Sequence, residues 1–218
     1  TGLQVASGEK FSPTITTPKS ILPATDFEPI KDLGSNGQQA IATQLADIDG
    51  DGKLDVINGL QNGNMSVRRN TSTVGNISLA SPVFLNGTSN GFIIAKVADM
   101  DGDGKLDIIG VSNADNFIRV YINNSTQGTI SFSSQKTFFI ATTSGALNNL
   151  EVADFDNDGK PDMVIVDGWC TSASMFRNTS TGTGTANLTF ATPVSVPGLA
   201  TGENINAILT GQGELAIA

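Results

Sequence analysis

The sequence predicts an all-β fold built from repeated four-stranded units. An aspartate-rich segment recurs three times at offsets of 52 and 55 residues, and short runs rich in Val, Ile, Phe and Thr flank each copy. Gly, Asn and Ser bound these runs, a pattern typical of β-strands joined by polar turns. Gly and β-branched residues interrupt every candidate helical window, so no apolar stripe at helical spacing persists. Self-similarity at this period indicates a repeat architecture.

Each repeat contains four strand-like runs in the same order. The first run precedes the aspartate segment, the second follows it, the third ends in an Asn-rich turn, and the fourth follows a Gly-containing loop. The complete repeats are assigned to about residues 39–86, 91–140 and 147–196. Four strands in about 50 residues make one blade of a β-propeller, in which radial packing protects the strand edges.

Two partial repeats flank the complete ones within the propeller region, residues 25–218. Residues 25–34 align with a fourth strand, residues 204–218 align with a first strand, loop and second strand, and residues 1–24 form an N-terminal linker or partial blade. The two ends could combine into one split blade and close a four-bladed ring. We expect instead an excerpt of a longer array, because the sequence stops inside an apolar strand.

The recurring segments DIDGDGKLD, DMDGDGKLD and DFDNDGKPD predict Ca²⁺ sites. Aspartates stand at positions 1, 3, 5 and 9, and Ca²⁺ takes about six to eight oxygen ligands in a flexible shell. Gly at position 6 permits a conformation that a Cβ would obstruct, and the carbonyl of position 7 can then face the ion. The predicted ligands are Asp47, Asp49, Asp51, Lys53 and Asp55 in loop 1, Asp99, Asp101, Asp103, Lys105 and Asp107 in loop 2, and Asp154, Asp156, Asp158, Lys160 and Asp162 in loop 3.

Other interpretations of these loops are weaker. An EF-hand needs a Glu at position 12 and flanking helices, but position 12 is Asn58, Gly110 or Ile165 and the flanks are strands. Mg²⁺ demands tighter octahedral geometry. Aspartates in a solvated turn would explain a single copy of the segment. Four carboxylates so close together in each of three copies would repel one another strongly without a cation. With no neighbouring histidine or nucleophile, we expect structural rather than catalytic calcium.

The composition excludes several classes of function. Twelve of the 21 acidic residues lie in the three loops, so three Ca²⁺ ions would bring the net charge from −9 to −3. No basic cluster is present, which argues against nucleic-acid binding. The absence of histidine excludes His-based catalysis and His-ligated metals, and the single cysteine, Cys170, cannot form an intrachain disulfide and is expected to be buried.

The loops and their flanking strands resemble the FG-GAP/VCBS repeats of integrin-α-like propellers. The sequence pattern RNTST…ISF is similar to that of secreted repeat proteins of Bacteroidetes-type bacteria. The resemblance covers roughly residues 25–218 and implies that the loop joins the first two strands of a blade, where calcium stiffens the hairpin. It also implies rings of seven blades, more than this chain can build. Thr210 and Glu214 are the only ligand-like side chains in the degenerate loop at 210–214, where we expect no metal.

The function expected from these features is that of a calcium-binding adhesion or scaffolding module, secreted or at the cell surface, and not an enzyme. Its ligand would be a protein or polysaccharide, and open blade edges could pair with further repeats or another chain. No apolar run reaches the roughly 18 residues of a membrane span. The alternatives are a lectin, for which Trp169 or Tyr121 would supply the aromatic platform, and a non-catalytic domain of a secreted hydrolase.

Overall fold

The computed structural model describes residues 39–87, 93–112, 115–140, 147–167 and 173–196, together with the strand segments 207–209 and 215–217. The chain divides into two compact units, Thr1–Leu33 and Gly34–Ala218. All of the described residues belong to the second unit. The predicted linker at 1–24 and the partial strand at 25–34 lie outside them.

Each of the three complete repeats folds into a four-stranded antiparallel sheet whose strands are neighbours in chain order. Repeat 1 contains β1 (Ala40–Ala46), β2 (Asp55–Leu60), β3 (Met65–Arg68) and β4 (Val83–Leu85). Repeat 2 contains β5 (Ile93–Ala98), β6 (Asp107–Ser112), β7 (Phe117–Tyr121) and β8 (Lys136–Phe139). Repeat 3 contains β9 (Leu147–Ala153), β10 (Asp162–Asp167), β11 (Ala173–Phe176) and β12 (Val194–Val196).

A further antiparallel pair follows the three sheets. Its strands are β13 (Ala207–Leu209) and β14 (Leu215–Ile217), with Ile208 opposite Ala216. The first two strands of each complete repeat pair in the same antiparallel manner. The assignment of residues 204–218 to the start of another repeat stays a prediction.

The aspartate loop connects the first and second strands of every repeat. In repeat 1, Ala46 pairs with Asp55, so the position-9 aspartate is the first residue of β2. Ala98 pairs with Asp107 and Ala153 with Asp162 in the same way. The side chain of position 9 therefore has a fixed orientation, because it belongs to the strand ladder rather than to the loop.

The third and fourth strands of each repeat continue, after a break, into a narrow hairpin. In repeat 1 the hairpin is marked by isolated bridges from Asn70 to Leu79 and from Thr73 to Asn76. Repeat 2 has equivalent bridges from Asn123 to Phe132 and from Thr126 to Thr129. The Asn-rich segment is thus a hairpin arm beyond β3 or β7.

The hydrophobic core lies between consecutive sheets. Ile57 and Val67 of repeat 1 pack with Ile108 of repeat 2, whereas Ile109 of repeat 2 packs with Met163 of repeat 3. Successive side chains of a strand point to opposite faces, so β6 contributes to both clusters and is buried along its whole length. Burial on both faces explains why the run in β6 is continuously apolar rather than alternating, whereas β2 includes the half-buried Asn58.

The structure confirms the predicted all-β fold with four-stranded antiparallel sheets. No helix long and apolar enough to cross a membrane is found in the described part of the chain. Closure of a ring, and the number of blades in it, stay predictions.

Candidate metal centre

The position-1 aspartate organises each loop by accepting several backbone N–H groups. Asp47 Oδ1 accepts hydrogen bonds from the N–H groups of Gly50 at 2.8 Å and Asp51 at 3.1 Å, and its Oδ2 accepts one from Gly52 at 2.8 Å. Asp99 makes the same three contacts in loop 2. This Asp-based turn is the local reason why the loop curls around its own carboxylates.

Two positions of each loop require the left-handed conformation. At position 6, Gly52 has a φ of 84°, as the sequence predicted for a residue without a Cβ. Position 4 shares the requirement, with a φ of 74° at Gly50 and 60° at Asn157. Asn tolerates this region better than other non-glycine residues, which explains how loop 3 keeps the same path.

The position-9 aspartate fastens the loop to the sheet. Asp55 Oδ2 accepts the N–H of Ile48 at 3.0 Å, and its Oδ1 accepts the N–H of Asn70 at 2.8 Å. Both Asp55 and its counterpart Asp107 are fully buried. The carboxylate thus joins the loop, the second strand and the hairpin arm of one repeat.

Three of the four aspartates in each loop converge. One carboxylate oxygen from each of positions 1, 3 and 9 lies within 4.8 Å of the other two, in the groups Asp47–Asp49–Asp55, Asp99–Asp101–Asp107 and Asp154–Asp156–Asp162. Oxygens bound to one Ca²⁺ at roughly 2.3–2.6 Å can be at most about 5 Å apart. The donor set, oxygen only and strongly anionic, therefore fits a hard divalent cation such as Ca²⁺.

The other predicted ligands lie at the rim of these groups. Asp51 is not part of the converging set in loop 1, and its Oδ1 accepts the N–H of Lys53 at 2.9 Å. Asp103 and Asp158 make the same contact with Lys105 and Lys160. Position 5 therefore orients position 7, and ligation by Asp51 or by the lysine carbonyls stays a prediction.

Neighbouring repeats meet at these loops. Asp49 Oδ2 accepts the N–H of Gly128, in the hairpin arm of repeat 2, at 2.8 Å. Asp101 Oδ2 accepts the N–H of Gly184, in the arm of repeat 3. The position-3 aspartate therefore has two roles, since it belongs to the carboxylate cluster and also holds the arm of the next repeat.

An asparagine in the arm makes the complementary contact. Asn123 Nδ2 donates to the carbonyl of Ile48 in loop 1 at 2.8 Å and to that of Leu106 in its own loop at 2.9 Å. Asn178 bridges Met100 of loop 2 and Pro161 of its own loop in the same way. The Asn at this place in repeats 2 and 3 is thus a buried link between the aspartate loops of two consecutive repeats.

Comparison with protein families agrees with this geometry. A model of the FG-GAP-like repeat matches residues 47–110 and 99–165, which together span more than half of the 218 residues. The chain belongs to the FG-GAP-like repeat family. Each match starts at the first aspartate of one loop and ends in the second strand of the following repeat, so the resemblance seen in the sequence is confirmed. No curated protein matches the chain.

One feature of the FG-GAP-like loops was missed by sequence reasoning. Arg69 and Arg177, which precede the arm asparagine in repeats 1 and 3, lie beside the position-3 and position-5 aspartates of their own loops. Repeat 2 has Ile122 at this position, and that side chain is buried in the core. Aligning the residues before Asn70, Asn123 and Asn178 would have revealed the difference but not the contact.

Of the aromatic residues considered for a sugar site, the structure describes only Tyr121. Tyr121 is buried, and its hydroxyl donates to Asn86 or Gln135, so it does not form an exposed platform for a sugar. Trp169, Cys170 and the degenerate loop at 210–214 lie outside the described residues.

Burial perturbs the position-9 carboxyls. Desolvation raises the pKa of Asp107 from 3.8 to about 7, opposed by the N–H groups of Asn123 and Met100 and assisted by the charges of Asp101 and Asp103. Desolvation likewise raises the pKa of the other two position-9 residues, Asp55 and Asp162. Without a cation, ionising these groups therefore costs free energy in the folded state.

The metal-free protein should lose stability as the pH rises. Since the pKa of Asp107 is higher in the folded state than in the unfolded chain, its contribution to stability is complete below about pH 4 and is lost as the pH rises through about 7. We expect the free energy of unfolding in EDTA to fall between about pH 4 and pH 7 and to level off above this interval, measured by urea denaturation. In excess Ca²⁺ this fall should be absent, because the cation favours the ionised carboxylates. Metal-free stability that rose across this interval would contradict the effect of burial.

Proposed function

We propose that this chain is an extracellular calcium-binding module of FG-GAP-like repeats, in which calcium is structural and the sheets form part of a propeller used for adhesion or scaffolding. The observation that carries the proposal is the triple convergence of carboxylates, at the same register in each repeat. The family match supports the repeat architecture. FG-GAP-like repeats are typical of extracellular proteins, which supports secretion or display at the cell surface.

The side chains of each loop hold the conformation that a cation would need. Asp47 gathers the loop N–H groups, Asp55 fixes the loop to β2, and Asp49 reaches the arm of the next repeat. Bound Ca²⁺ would supply the positive charge that relieves repulsion among these carboxylates. The protein's own contribution is a stiff junction between hairpin and arm, repeated along the array.

A stiff array of sheets is suited to binding rather than to catalysis. Rigid elements present loops to a partner with little loss of conformational entropy. We propose a protein or a surface polysaccharide as that partner, with no catalytic role for the chain. The clustered carboxylates are already committed to backbone N–H groups within the loops, which favours a structural role for them.

Counting bound calcium tests the proposal. Metal analysis after equilibrium dialysis should find three Ca²⁺ per chain. Asp101→Ala removes one converging carboxylate of loop 2 and should reduce the count to two. Thr210→Ala changes the degenerate loop and should leave three. A count of zero in the unmodified protein would refute the calcium sites, and a fourth ion lost in Thr210→Ala would show that the last loop also binds metal.

A further inference from the structure

The three loops differ in one neighbouring charge. In repeat 3, Arg177 Nε lies 2.7 Å from Asp156 Oδ2, and its Nη2 lies 3.9 Å from Asp158 Oδ2. In repeat 1, Arg69 lies 3.9 Å from Asp49 Oδ2 and 4.0 Å from Asp51 Oδ2. The corresponding residue of repeat 2 is Ile122, so its loop has no arginine at this place.

The arginines contact the carboxylates that the proposed cation would use. Asp49 and Asp156 belong to the converging groups of their loops. A guanidinium is always charged and remains so at any pH at which the protein is folded. A fixed positive charge at the cluster lowers its attraction for a divalent cation, and the Arg177–Asp156 contact must loosen if the carboxylate turns toward the ion.

The position-3 aspartates differ in their charged neighbours. Asp49 Oδ2 and Asp101 Oδ2 each accept a backbone N–H from the arm of the next repeat. Asp49 also has Arg69 beside it, whereas Ile122 takes the place of that arginine in repeat 2. Asp156 has the direct contact with Arg177, and the arm that would follow loop 3 lies outside the described residues.

We propose that the residue before the arm asparagine sets the calcium affinity of each loop. Loop 2 binds most tightly because Ile122 brings no positive charge to its carboxylates, and Arg69 and Arg177 weaken calcium binding by loops 1 and 3. The array would then fill in order as calcium rises, from the central loop outward. This inference rests on the proposed calcium sites and adds a grading among them.

Calorimetric titration of the metal-free protein with Ca²⁺ tests the grading. The unmodified chain should show one tight step and two weaker ones, and Asp101→Ala should remove the tight step. Arg177→Gln should tighten one weak step by about tenfold at low ionic strength, the size expected for removing one partly screened charge. Arg69→Gln should tighten the other weak step, and added salt should reduce both gains.

Lys96→Gln provides the matched control. Lys96 pairs with Glu151 between β5 and β9, so the change removes one positive charge and one ion pair that involves none of the loop aspartates. It should leave all three steps unchanged. Three bound ions with affinities that neither arginine substitution alters would overturn the grading and leave the calcium sites intact. No binding in the unmodified chain would refute the sites themselves.

Discussion

Removing calcium should lower the stability of this protein by several kcal/mol. A ligand that binds only the folded state stabilises it by about 2.7 kcal/mol per site at a hundredfold excess over Kd, so three such sites contribute about 8 kcal/mol. Chelation also leaves the carboxylate oxygens of positions 1, 3 and 9 within 4.8 Å of one another, with no cation between them. We expect thermal and urea unfolding to shift strongly between excess Ca²⁺ and EGTA.

The loss should not be confined to the loops. Asp49 and Asp101 hold the arms of the following repeats, so repulsion within a loop also strains the junction between two sheets. Asp101→Ala provides the internal control, because a chain with one fewer site should show an EGTA effect smaller by about a third. Identical melting with calcium and after verified metal removal would contradict the structural role of calcium.

The second large effect is expected for Asn123→Ala. The substitution removes two hydrogen bonds that the side chain donates to the carbonyls of Ile48 and Leu106. It also removes the hydrogen bond that the side chain accepts from the N–H of Ser125. Asn123 is fully buried, so these groups lose their partners where water does not reach them. Each hydrogen bond contributes a net of about 0.5–1.5 kcal/mol, and buried groups without partners add a penalty. We therefore expect the free energy of unfolding to fall by about 4 kcal/mol.

Asn70→Ala is the matched control for this prediction. Asn70 occupies the same position in repeat 1, where it donates to the carbonyl of Leu54 and accepts the N–H of Ser72, and it is only half-buried. Among the described residues no carbonyl of a preceding loop contacts it. We expect a loss of about 1–2 kcal/mol in urea unfolding. Equal losses for the two variants would mean that the contact with Ile48 contributes nothing to the junction between repeats.

Local chemistry made much of this structure predictable. The β-strands were predictable from runs of β-branched residues between turn residues. The aspartate loop was predictable from alternating aspartates with Gly at position 6. Asp47, Asp49 and Asp55 converge as the spacing predicted, because a hairpin loop brings residues eight positions apart together. The need for a left-handed residue at position 4 was not inferred, although Gly50 and Asn157 both carried that signal.

The repeat, the four-stranded sheets and the converging aspartates could be predicted from the sequence, since these depend on contacts within one repeat. How the repeats are joined became visible only in the packed fold. Asp49 meets Gly128 across 79 residues, and Asn123 meets Ile48 across 75. The packed fold also decided that Arg177 lies on its loop while Ile122 enters the core. Such contacts depend on how one sheet packs against the next, and no turn or strand propensity encodes that packing.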